Sequence, residues 1–144
     1  LGEELEPDFF NDPRANQFYK NLIVYYNKNR QIDGQTIDYQ EFISWLKANV
    51  GELSNQLIAY IDSLFLLVDK DLAEATLEES LGEISRLAKV IKRAFWQQRL
   101  AVISHKIADL EKSRELSEQK RNLEITMLLG EAEDLSQKLR ALDN

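Results

Sequence analysis

The chain has 144 residues, 44% of them hydrophobic and 30% charged, a balance typical of one folded domain with room for an appendage. It has no cysteine, which excludes disulfides and thiolate chemistry and, without a secretory leader, favours a cytoplasmic protein. The net charge of −7 disfavours direct nucleic-acid binding, and the longest apolar run, Leu64–Val68, is too short to cross a membrane.

The first predicted helix begins at Pro13. Asp12 is a good N-cap residue, and proline is favoured next because the first helical position needs no amide donor. Aromatic and aliphatic residues follow at helical spacing until about Asn27–Arg30.

A second helix is predicted from the pair Asp38 and Glu41, which have the spacing of a capping box. This helix places Phe42, Trp45 and Leu46 on one face and is expected to end at Asn49–Gly51.

A third helix is predicted from about Ser54 to Val68. Its apolar residues cover more than one face, so we expect this helix to lie at the centre of a bundle. They are Leu57, Ile58, Ile61, Leu64, Phe65 and Val68.

A long helix, about 77–114, is predicted to start at a second capping box, Thr76 with Glu79. At 1.5 Å per residue it would be about 57 Å long, more than the roughly 30–35 Å of a compact bundle, so it must project. We expect its first half to pack against helices from residues 12–68 through Leu81, Ile84, Leu87, Ala88, Ile91 and Phe95.

The second half of the long helix carries a different apolar stripe at heptad spacing, and so do the last residues of the chain. The two stripes are Trp96, Leu100, Ile103, Ile107 and Leu110, and Ile125, Leu128, Ala132, Leu135, Leu139 and Leu142. A polar turn near Ser117–Lys120 would let them pair in an antiparallel hairpin, with Leu110 near Leu128 and Ile103 near Leu135. One continuous helix that dimerises is the competing interpretation.

The predicted fold is therefore all-α: a helical bundle, a long connecting helix and a C-terminal antiparallel two-helix hairpin. The bundle subdomain is assigned to residues 1–95 and the hairpin subdomain to residues 96–144, with the long helix shared by both.

Charge is unevenly distributed along the chain. Residues 1–83 hold 16 acidic and 6 basic side chains, whereas residues 84–108 hold 6 basic side chains and no acid. The basic block could be a surface for nucleic acid or an acidic partner. We favour the alternative that it faces the acidic residues of the bundle, particularly Asp69–Glu83.

The residues present no pattern typical of a catalytic or cofactor site. His105 is the one histidine, and phosphate-loop, dinucleotide, metalloprotease and nucleophile-elbow motifs are missing. We expect no cofactor and no catalytic activity for these 144 residues.

The predicted last helix carries three apolar residues away from its heptad stripe: Leu123, Met127 and Leu129. Such residues favour a contact in which a helix enters the groove of a partner protein.

The order of these parts resembles the C-terminal helicase-binding domain of bacterial DNA primase. The resemblance lies in "DFFNDPRANQFYKNLIVYYNKNRQID", followed by "FISWLKANVGEL", and in the terminal "LEITMLLGEAEDLSQKLRAL". It implies a helicase-interaction domain that recruits and regulates primer synthesis at the replication fork. The chain begins at Leu1, and the resemblance implies zinc-binding and RNA-polymerising domains upstream in a parent primase.

The resemblance also implies a partner, the N-terminal domains of the hexameric replicative helicase. The docking surface would comprise Leu123, Met127, Leu129, Glu133, Gln137, Lys138, Arg140 and Leu142. The chain would be a monomer, with weak self-association or hairpin exchange as the exception. Two other classes stay open: the N-terminal domain of a replicative helicase, which would self-associate, and a generic helical adaptor.

Overall fold

The structure, a computed structural model, describes residues 5–29, 38–51, 54–113 and 117–142. Within these ranges a short 3-10 helix, Pro7–Phe9, precedes five α-helices and there is no strand, so the predicted all-α class is confirmed. The α-helices are α1 (Pro13–Asn29), α2 (Tyr39–Val50), α3 (Ser54–Leu72), α4 (Leu77–Lys112) and α5 (Glu118–Leu142).

The chain forms two compact units, residues 1–85 and 86–144, and the division between them lies within α4. The sequence-based division after residue 95 lies within the same helix.

The start of α1 is set by Asp12, as predicted. Its Oδ1 accepts a hydrogen bond from the Arg14 amide at 2.8 Å, which satisfies one of the amides that a helix start leaves unpaired. The Arg14 guanidinium donates to both oxygens of the same carboxylate. These side-chain bonds first, and then the amide bond, hold the pKa of Asp12 below its ordinary value of 3.8.

The predicted cap of α2 is half confirmed. The Glu41 amide donates to Asp38 Oδ1 at 2.9 Å, as an N-cap requires. The Glu41 carboxylate lies instead 3.5 Å from the hydroxyl of Tyr25 on α1. Burial, followed by the negative charge of Glu41, raises the pKa of Tyr25 above 10.0.

The cap of α4 is the complete capping box that the sequence predicts. The Glu79 amide donates to Thr76 Oγ1 at 3.3 Å, and the Thr76 amide donates back to Glu79 Oε2 at 2.8 Å. The Thr76 hydroxyl also donates to this carboxylate, at 2.9 Å. Together these bonds define where the longest helix of the chain begins.

The core of the first unit is built by α1, α2 and α3 around one cluster of buried side chains. Leu46 is fully buried, and burying a leucine contributes about 1.5–3 kcal/mol. Trp45 of α2 stacks on Phe42 with a centroid distance of 6.2 Å and meets Tyr25 edge-on at 5.6 Å. The buried members are Tyr25, Phe42, Ile43, Leu46, Leu57 and Ile61.

Hydrogen bonds from tyrosines link separate elements of the first unit. The hydroxyl of Tyr19, in α1, donates to the Leu5 carbonyl at 3.0 Å, which fastens the segment before α1. The hydroxyl of Tyr39 donates to Asp62 of α3. This bond to a carboxylate, followed by burial, raises the pKa of Tyr39 above 10.0.

The second half of α3 departs from the prediction. The helix runs to Leu72, four residues further than expected, and only Leu57 and Ile61 of its large apolar residues are buried. Phe65 and Val68, expected in the core, are each 53% exposed. The reason is length: α3 is the longest of the three packed helices and extends beyond the cluster.

The first turns of α4 also depart from the prediction. Leu81 and Ile84 were expected to pack against the helices from residues 12–68, but they are 55% and 38% exposed. Helical spacing alone identifies an apolar face without showing whether anything covers it.

The connection between α4 and α5 lies earlier than predicted. Helix α4 ends at Lys112 and α5 begins at Glu118, so Glu118–Lys120 form the first turn of a helix rather than the chain reversal. Glu118, Gln119 and Lys120 are good helix formers, and no glycine or proline interrupts them. Helix α5 therefore begins at Glu118.

Candidate functional site

The second unit contains the contacts that bring α4 and α5 together. Arg99 Nε on α4 donates to Glu131 Oε1 on α5 at 2.8 Å. Nearer the connection, Arg121 Nη1 donates to the Ser113 carbonyl at 3.2 Å. Ile103 and Leu135, expected to face each other, are only 2% and 7% exposed.

An apolar groove lies between the last turns of α4 and the first turns of α5. It has a volume of about 530 Å³, within the range of clefts that bind small molecules. Leu110 and Leu128, a pair predicted to be close, both contribute to its lining. The complete lining is Lys106, Asp109, Leu110, Ser113, Glu124, Met127 and Leu128.

Three of the predicted docking residues expose apolar surface on α5. Leu123 is 63% exposed, Met127 69% and Leu129 55%. A surface leucine is common by itself, but three large apolar side chains within seven residues are a concentrated exposure.

These three residues do not lie on one face. Successive residues of an α-helix are about 100° apart, so Leu123 and Met127 are only about 40° apart around α5. Leu129 is about 160° from Met127 by the same geometry. The groove therefore includes Met127 and not Leu129.

The remaining predicted docking residues follow the same division. Glu133, Gln137 and Arg140 are exposed and continue the strip that begins at Leu129, at spacings of 4, 4 and 3. Lys138 is exposed on the side of Leu123 and Met127. Leu142 is half-buried at the end of α5. Helical geometry thus separates the predicted surface into two strips. They are a groove-side strip (Leu123, Met127, Lys138), of which Met127 lines the groove, and a back strip (Leu129, Glu133, Gln137, Arg140).

The polar rim of the groove was missed by sequence reasoning. Lys106 and Asp109 lie on α4 and Glu124 on α5, and all three are exposed. One cation beside two carboxylates can set the orientation of a charged partner without supplying much of the affinity. The signal in the sequence was their position: Lys106 and Glu124 lie one turn before Leu110 and Leu128, and Asp109 immediately precedes Leu110.

His105 is exposed on α4. In the part of the chain that the structure describes, no three His, Asp or Glu side chains are grouped so that they could hold a metal ion. None of the described helices combines the length and the apolar character needed to cross a membrane.

Comparison of the chain with protein-family models, with curated protein sequences and with solved structures gave no match.

Proposed function

We propose that this chain is a protein-interaction module that docks on the N-terminal domains of a hexameric replicative helicase, the role implied by its resemblance to the helicase-binding domain of bacterial primase. The observation that carries the proposal is the exposure of Leu123 and Met127 on one face of α5, beside an apolar groove shared with α4. A face of this kind is typical of helix-in-groove recognition.

The docking element is an antiparallel hairpin formed by the second half of α4 and by α5. Two contacts support this arrangement: Arg99 meets Glu131 away from the connection, and Arg121 meets Ser113 close to it. Residues earlier in α4 therefore lie beside residues later in α5, as in an antiparallel pair of helices. The low exposure of Ile103 and Leu135 supports a shared apolar seam.

The anchors of the interaction are Leu123 and Met127. An unbranched methionine adapts to an irregular pocket, and a few well-buried apolar anchors supply most of the energy of a typical interface. The rim residues Lys106, Asp109 and Glu124 give the docked partner its orientation. The first unit would then act on the helicase, while the parent chain, a primase, makes the primer.

The experiment is a calorimetric titration of the chain into the replicative helicase of the same organism. A Leu123→Ser, Met127→Ser double variant is titrated in parallel, with its helicity compared by circular dichroism. Binding that is lost in the helical double variant supports both the partner and the face.

A version ending at Glu111 provides a second arm, because it lacks α5 entirely. Binding by this version would show that the docking surface lies elsewhere. An absence of binding by the complete chain would contradict the helicase assignment and leave a helical adaptor for another partner.

A further inference from the structure

The first unit carries a second exposed apolar surface, which the proposed function does not use. It occupies the last turns of α3 and the first turns of α4, and we refer to residues 65–84 as the α3–α4 segment. Its side chains are 53–77% exposed, against 3% for Leu57 earlier in the same helix. They are Phe65, Leu66, Leu67, Val68, Leu77 and Leu81.

The exposed surface of α3 continues the face that is buried further back. Val68 follows Leu57 by 11 residues and Ile61 by 7, separations that return to nearly the same side of an α-helix. The side of α3 that packs in the core at Leu57 and Ile61 is therefore exposed to solvent at Val68.

The start of α4 carries a second exposed apolar face. Leu77, Leu81 and Ile84 are spaced 4 and 3, so they form one apolar strip. Between Val68 and Leu77 the chain passes through the last four residues of α3 and the turn 73–76. The distance between their Cα atoms is therefore at most about 24 Å. A partner helix of about 18 residues is about 27 Å long and can reach both.

The charge of the α3–α4 segment indicates the chemistry of the partner, and its carboxylates are assigned here to a partner protein in place of the chain's own basic block at residues 84–108. From Asp69 to Glu83 the chain has six acidic residues and one basic residue, Lys70. The acidic residues are Asp69, Asp71, Glu74, Glu78, Glu79 and Glu83. Apolar side chains bordered by carboxylates attract an apolar surface bordered by cations. The same carboxylates repel nucleic-acid phosphates and anionic membrane surfaces.

From these observations we propose that the α3–α4 segment is a docking surface for a cationic amphipathic helix of a partner protein. The apolar face of that helix covers Val68, Leu77 and Leu81, and its lysine or arginine side chains meet the carboxylates around them. The interaction is independent of the groove between α4 and α5.

The test uses fluorescence anisotropy and a labelled peptide of about 18 leucines and lysines, with leucine at helical spacing. We expect saturable binding to the 144-residue chain that weakens as salt concentration rises. A Leu77→Ser, Leu81→Ser variant should bind roughly tenfold or more weakly, because both anchors are lost. A Glu74→Gln, Glu78→Gln variant should bind more weakly and depend less on salt.

Two controls make the result specific. A peptide of the same composition in scrambled order has the charge but no apolar face, and its binding should be much weaker. A Leu123→Ser, Met127→Ser variant alters an equal number of exposed apolar residues in the second unit and should bind the peptide normally. The two double variants therefore separate this proposal from the proposed helicase docking.

Three results would overturn the proposal. The first is equal binding by the ordered and scrambled peptides, and the second is unchanged binding by the Leu77, Leu81 variant. The third is a concentration-dependent dimer in sedimentation velocity that Leu77→Ser, Leu81→Ser abolishes and the peptide does not displace, because a second copy would then be the occupant.

Discussion

Arg99 and Glu131 are 32 residues apart in sequence, yet Arg99 Nε donates to Glu131 Oε1 at 2.8 Å and so ties α4 to α5. Both side chains are substantially exposed, at 51% and 39%, so water and salt weaken the attraction. A double-mutant cycle with Arg99→Ala and Glu131→Ala should give a coupling energy of about 0.2–1 kcal/mol. Chemical denaturation in low and high salt measures it, and a coupling that salt leaves unchanged would contradict this assignment.

The buried side chain of Ile103 should contribute far more to stability than this ion pair. Ile103→Ala removes most of a side chain that is only 2% exposed, and we expect the free energy of unfolding to fall by about 2–5 kcal/mol. Val102→Ala is the matched control, because Val102 is the preceding residue and is 41% exposed. Urea denaturation compares the two variants, and similar losses would mean that Ile103 is not packed as described.

We expect the two strips of α5 to contribute differently to helicase binding. Met127→Asp places a charge beside the groove, and we expect calorimetric titration to show at least roughly tenfold weaker binding. Leu129→Asp changes the back strip, and its effect should be smaller. Both sites are exposed, so helicity should be retained in both variants. A larger loss for Leu129→Asp would move the docking face to the strip that contains Glu133 and Gln137.

The capping box of α4 should make stability depend on pH in the acid range. The amide of Thr76 first, and then its hydroxyl, hold the pKa of Glu79 below its ordinary value of 4.5. Because the folded-state pKa is lower than that of the unfolded chain, the contribution is fully present above pH 4.5 and is lost as the pH falls through the folded-state value.

Glu79→Gln tests this dependence, since the amide oxygen can still accept hydrogen bonds but does not titrate. We expect the melting temperature of the variant to change less with acidification than that of the parent chain. Circular dichroism melts in neutral and acidic buffer measure the difference, and identical pH profiles would exclude Glu79 as a contributor.

Two glycines should respond in opposite directions to the same substitution. Gly51 follows α2 with a φ of 67°, in the left-handed range, so Gly51→Ala should destabilise the chain by about 1 kcal/mol. Gly130 lies within α5 with open space around it, so Gly130→Ala should stabilise by about 0.5–1 kcal/mol. Thermal unfolding of both variants tests the prediction, and a shift in the same direction would contradict it.

The features that were predictable from sequence are those determined by neighbouring residues. Asp12, Asp38 and Thr76 each mark the start of a helix, because an N-cap bonds to amides only two or three positions away. Contacts between residues far apart in the sequence were harder to predict. The spacing of Leu81 and Ile84 indicates an apolar face, but whether that face is covered depends on how far the other helices extend.

The docking surface shows the same limit. Leu123, Met127 and Leu129 were identified because they do not fit the heptad pattern, and all three are exposed. Their separation into two strips follows from the angle between residues, which the sequence already contained. The contribution of Lys106 and Asp109 to the groove was missed although heptad spacing predicts that α4 and α5 pair, because that spacing identifies the apolar stripe and not the polar residues beside it.

The stacked ring of Trp45 has a spectroscopic consequence. Its Nε1 is buried and has no hydrogen-bond partner among the described residues, while the ring lies against Phe42 and Tyr25. An indole in such dry surroundings emits at shorter wavelength than one in water. The second tryptophan, Trp96, belongs to the other unit, so each unit carries one tryptophan that can be excited selectively. Replacing either tryptophan by phenylalanine leaves a single reporter, with which the melting of each unit can be followed separately and without an attached dye.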